Sequence, residues 1–75
     1  MENYVINIIS DKIVNWCDYT IKKDLRSLKY LIGNLNMDCH LTIKEDDIYK
    51  YFSNKDINYY SIRDFVNDNL NKGNN

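Results

Sequence analysis

Few side chains in this sequence are of types that do chemistry, and their spacing decides more than their number. His40 is the only histidine, and it follows Asp38 and Cys39 in the run NMDCH. Adjacent loop residues do not readily turn toward one tetrahedral ion, and Cys17 would have to join them from a distant part of the chain to complete a zinc set. A Cys39–His40 nucleophile and base meets the same difficulty, and no Gly-rich turn nearby supplies donors for an oxyanion. His40 therefore reads as an exposed loop residue. Cys17 and Cys39 read as free, partly buried thiols, because the N-terminus MENYVINIISDK lacks the basic region and small-residue cleavage site of a secretion signal.

Glu45, Asp46 and Asp47 form the one dense acidic cluster. They also fall where a helix begins, and carboxylates there are favoured by the helix dipole. The chain has no EF-hand spacing and no phosphate-cradling loop, and holds only two glycines. The expectation is a protein that is not an enzyme, with no catalytic residues, no metal ligands and no cofactor.

Binding chemistry is better represented. Lys22, Arg26 and Lys29 repeat at i, i+4, i+7, with Lys23 beside them and Tyr19 and Tyr30 interleaved. On a helix this spacing makes a basic ridge, suited to an anionic partner or a nucleic-acid backbone, and equally to an ordinary solvated face. The seven tyrosines exceed what a small core accommodates with satisfied hydroxyls. Tyr30, Tyr49 and Tyr60 fall off the apolar stripes and are the candidate protein-binding residues, since tyrosine offers large contact area at low entropy cost. Tyr4 and Tyr19 are further candidates for exposure.

These residues need elements to position them. The clearest is Thr20 to Asn36, where Ile21, Leu25, Leu28, Ile32 and Leu35 gather on one face at helical spacing. Thr20 is the expected N-cap, and Gly33 is expected to fray the last turn. Before it, residues 2–18 read as a helix with an unusually wide apolar arc of Val5, Ile6, Ile9, Ile13, Trp16 and Cys17. The rival reading of Tyr4 to Ile9 as a β-strand finds no second strand to pair with. After a loop at NMDCH, Thr42 and Glu45 form a capping-box pattern opening a third helix, whose core face is Ile48, Tyr51 and Phe52. Asn58 caps a fourth, with Tyr59, Ile62, Val66 and Leu70 as its stripe. The fold class is all-α: a small bundle of three to four short helices, about 2–18, 21–35, 43–53 and 59–70. Residues 1–75 are expected to form a single small domain, with 71–75 disordered.

Composition sets the remaining bounds. With 44% hydrophobic and 28% charged residues the 75-residue chain is globular, although a domain this small buries only about 60% of its unfolded surface. A net charge of −1 provides no global attraction to nucleic acid or anionic membranes. Five basic and four acidic residues precede Asp38, and five and seven lie from there on; any anion-binding surface is therefore local, and the basic residues of the first half crowd into one expected helix. No apolar run reaches membrane-spanning length, so a cytoplasmic protein with no membrane partner is expected. Pro, Ala and Gln are absent while Asn, Ile, Lys and Tyr abound, a bias of AT-rich coding that fits a phage or other mobile element.

The functional expectation is a small non-enzymatic regulator or inhibitor that binds another macromolecule, with a protein as the favoured partner. Anti-CRISPR-like inhibitors of host defence exemplify the class. A homodimer through the wide arc of the first helix is a further expectation. The alternative is a nucleic-acid-binding transcriptional regulator, using the basic ridge or a helix-turn-helix-like third and fourth helix. That pair carries Arg63 but also Asp64, Asp68 and the Glu45–Asp47 cluster, which phosphates would repel.

Overall fold

A computed structural model describes residues 3–73, and the side-chain surroundings of residues 5–71. Four helices make up the fold: α1 (Asn3–Tyr19), α2 (Leu25–Asp38), α3 (Glu45–Phe52) and α4 (Tyr59–Gly73). No strand occurs among the described residues, so the β-branched stretch Val5 to Ile9 is helical. Its apolar positions recur at the 3.6-residue period, and the neighbouring helices bury them in that geometry.

α1 is the central helix, packed between α2 and α4, while α3 closes against α2. Ile9 and Ile13 are buried, and Val5, Trp16 and Cys17 pack on the same core. The wide arc of α1 is thus divided between two neighbours. Ile6 and Val14, at its edge, remain exposed.

The start of α2 differs from the sequence expectation. The Thr20 N–H donates to the Trp16 carbonyl at 2.9 Å, so Thr20 completes α1 instead of opening α2. The cap is Asp24, extended at φ −118° and ψ 177°, whose Oδ1 accepts the Ser27 N–H at 2.9 Å. A carboxylate cap at the positive end of the dipole outcompetes the earlier threonine. Residues 21–24 are consequently non-helical. Ile21 leaves the core stripe and is replaced by Leu31, which is buried together with Leu28, Ile32 and Leu35.

Gly33 does not fray the helix. It sits mid-helix, and α2 runs on through Asn36, Met37 and Asp38 because fully buried Leu35 anchors the final turn. Of the expected loop at NMDCH only Cys39 and His40 are non-helical, and the connection runs on through Lys44. His40 takes the left-handed conformation at φ 57°, the usual way to turn the chain out of a helix and a position that favours glycine.

The capping box at Thr42 is likewise not used. The Asn36 side chain donates from Nδ2 to the Ile43 carbonyl at 3.0 Å and accepts the Ile43 N–H at 3.0 Å. This amide clamp holds Ile43 outside the helix with its side chain in the core, so α3 can begin only at Glu45. Lys44 stands at its N-cap without a side-chain hydrogen bond. Glu45, Asp46 and Asp47 occupy the first turn, where they interact favourably with the dipole.

α4 opens as expected: the Ser61 N–H donates to Asn58 Oδ1 at 3.0 Å, and the Asn58 N–H to Ser61 Oγ at 3.0 Å. Ile62, Phe65 and Val66 are buried. Phe52, Phe65 and Tyr51 form an aromatic cluster with ring centroids 4.9 to 5.3 Å apart, joining α3 to α4. The helix passes the expected end near Leu70 and continues to Gly73; residues 74 and 75 lie outside the described ones.

Candidate protein-binding surface

The residues proposed for binding separate into three places. Lys22 and Lys23 lie on the α1–α2 connection, not on a helix, so the ridge read from their spacing with Arg26 and Lys29 is interrupted. Lys29 is engaged elsewhere. Its Nζ donates to Tyr49 Oη at 3.0 Å, lies 3.6 Å from Glu45 Oε2 and stands 5.5 Å from the Tyr49 ring centroid. The hydrogen bond to Tyr49 and then the Glu45 carboxylate raise its pKa above the ordinary lysine value. Lys29 and Tyr49 together form a strut between α2 and α3, in which Tyr49 stays 41% exposed.

Tyr60 is on α4, away from these. The Arg63 guanidinium stands 5.7 Å from the Tyr59 ring and 5.4 Å from the Tyr60 ring, with Nη2 3.4 Å from Asp64 Oδ1. Tyr60 is exposed, yet its face is occupied by this cation.

What remains is a corner where α1 ends and α2 begins. Ile21 is 100% exposed and Tyr19 83% exposed, the two most exposed large hydrophobic side chains among the described residues. Three cations follow them closely in the chain. Lys22 reaches Asp24 only at 4.0 Å, Lys23 donates to the Thr20 carbonyl at 2.8 Å, and Arg26 is exposed on the first turn of α2. Asp24 is committed to its cap: the Ser27 N–H, and then Lys22, hold its pKa below the ordinary 3.8.

The corner continues as a stripe along the outer face of α2. Arg26, Tyr30, Gly33 and Met37 follow at i, i+4, i+7 and i+11, within about 60° of one another. Tyr30 is 70% and Met37 76% exposed. Between them, Gly33 has no neighbouring group within 4 Å of where a Cβ would stand. A glycine inside a helix costs about 1 kcal/mol relative to alanine, and nothing within the fold requires it.

Ile21 and Met37 were missed by sequence reasoning. Ile21 fitted the apolar period of α2 too well; only the competition between Asp24 and Thr20 for the cap displaces it. Met37 was hidden by assigning NMDCH to a loop.

Elsewhere, an open depression of about 340 Å³ lies between α1 and α2, lined by Lys12, Asn15, Trp16, Leu31, Asn34 and Asp38. A slot between α1 and α4, floored by Ile9, Ile13 and Leu70, has a volume of about 40 Å³, room for a few water molecules. Burial pushes both thiols, Cys17 and Cys39, above the ordinary value, the reverse of what activates a nucleophile. Among the described residues no three His, Cys, Asp or Glu side chains gather where a metal ion could sit, and no helix is long and apolar enough to cross a membrane. Comparison with protein-family models, curated proteins and solved structures finds no match to this chain.

Proposed function

We propose that this chain is a small non-enzymatic binding protein that acts as a regulator or inhibitor by docking on another protein through the α1–α2 corner. The observation that carries this reading is the pairing of fully exposed Ile21 and Tyr19 with Lys22, Lys23 and Arg26. Apolar anchors beside like charges suit a partner with an apolar pocket and an acidic rim: the anchors supply affinity and the cations supply rate and orientation. The AT-rich composition supports a mobile-element origin, and with it a host protein as the target, of which a CRISPR-type defence component is one class.

A nucleic-acid-binding regulator is the weaker reading. It needs a row of cations that follows a backbone, whereas Lys22 and Lys23 sit off the helix and Lys29 is tied to Glu45 and Tyr49.

The test is capture from the native host with the full chain as bait. The wild type is expected to retain one defined protein that the combined variant Ile21→Glu, Lys22→Glu, Lys23→Glu does not, with unchanged circular dichroism. Tyr60→Ala is expected to capture as the wild type does. Equal capture by the triple variant would refute the corner, and salt-sensitive retention of DNA or RNA lost on Arg26→Glu would favour the alternative.

A further inference from the structure

We propose that the depression between α1 and α2 is a binding site for a short extended peptide segment with an apolar side chain at its centre, held through its backbone by Asn15 from one wall and Asn34 from the other.

The lining residues decide the class of ligand. Lys12, Asn15 and Trp16 come from one face of α1, and Leu31, Asn34 and Asp38 from one face of α2. Lys12 Nζ stands 3.0 Å from Asp38 Oδ2, so the two charges offset each other. A phosphate drawn to Lys12 meets the Asp38 carboxylate, which makes an anion a poor occupant. What the site offers a neutral ligand is two exposed carboxamides, Asn15 and Asn34, beside half-buried Trp16 and buried Leu31.

A carboxamide carries both a donor and an acceptor, and so matches the N–H and C=O of a peptide backbone. This chain already uses that match once. Asn36 donates to the Ile43 carbonyl and accepts the Ile43 N–H, both at 3.0 Å, and Ile43 lies outside the helices. An extended segment of another protein presents the same two backbone groups to Asn15 and Asn34. A helix does not, because its own backbone groups are bonded internally, and four polar residues among the six that line the depression give its apolar face little to cover.

The dimensions agree. Leu31 to Asp38 spans about 10 Å along α2 at 1.5 Å per residue, the length of about three residues of extended chain. The volume of about 340 Å³ lies at the small end of ligand sites. The central side chain of such a segment falls against Trp16 and Leu31, which favours an apolar one. None of Tyr19, Ile21, Lys22, Lys23 or Arg26 lines the depression, so this site goes beyond the α1–α2 corner and neither stands nor falls with it.

Trp16 is the only tryptophan of the chain, and its fluorescence therefore reports on this site alone. The probe is a tripeptide of alanine, leucine and alanine, acetylated and amidated at its ends, titrated into the full chain up to millimolar concentration. A saturable change in Trp16 emission is expected. The same peptide N-methylated at its leucine lacks the central donor, and is expected to bind about tenfold more weakly, as are Asn15→Ala and Asn34→Ala with the unmodified peptide, each having lost one or two hydrogen bonds. Alanine is the better helix former, and both positions are helical and exposed, so these variants are expected to melt no lower than the wild type and their lost response is not unfolding. No saturable change with the tripeptide, equal binding of the N-methylated peptide, or wild-type binding by both variants would overturn the proposal. A saturable response to glucose or adenosine where the tripeptide gives none would overturn it in favour of a saccharide or a nucleobase.

Discussion

Replacing Gly33 with alanine stabilises this protein. The position is helical, its φ is not positive, and a Cβ built there meets no neighbouring group within 4 Å. No strain or clash therefore offsets the gain from restricting the unfolded chain and improving helix propensity, about 1 kcal/mol. For a domain of this length that corresponds to a rise in melting temperature of about 4–8 °C. Thermal denaturation followed by circular dichroism measures it. A melting temperature unchanged or lowered would refute the reasoning, since it would mean that Gly33 is packed or required by the backbone.

Three further outcomes rest on the local structure. Asn36→Ala removes both hydrogen bonds to buried Ile43 and leaves a backbone N–H and C=O unpaired, so chemical denaturation should show a loss of about 1–3 kcal/mol; no loss would mean that the connection is held by packing alone. His40→Gly relieves a left-handed residue at φ 57° and is expected to raise stability by up to about 1 kcal/mol, whereas His40→Val is expected to lower it. Asp24 has a folded pKa below its ordinary 3.8, so the stability it contributes is complete above that value and is lost as pH falls through the lower folded one. Asp24→Asn keeps a capping oxygen without the titration, and its melting temperature should fall less steeply than the wild type's below pH 3.8.

The all-α class and the existence of each helix were legible because the apolar periodicity of Val5 to Cys17, Leu25 to Leu35, Ile48 to Phe52 and Tyr59 to Leu70 is a local signal. Caps were legible only where one candidate stood alone. Asn58 had no rival, and its exchange with Ser61 is present. Thr20 and Thr42 each had the right type in the wrong context: the first is drawn into the end of α1, and the second precedes a residue clamped by Asn36, a side chain seven positions before Ile43. Such a contact is tertiary and leaves no trace in spacing.

The candidate binding residues show the same division. Tyr30 was legible from its position opposite the core stripe of α2. The loss of Lys29 and Tyr49 to each other was not, because it depends on how α3 docks against α2. Ile21 is the sharpest case: moving the helix start by four residues turns the first member of the core stripe into the most exposed apolar side chain of the described surface.

The central claim is that the α1–α2 corner is where this protein meets its partner. Hydrogen exchange of the chain free and in complex with the captured protein tests it directly. Exchange at residues 19–24, of which 20–24 lie outside the helices, should slow on binding together with the first turn of α2. Slowing confined to α3 and α4, with residues 19–24 unchanged, would contradict it.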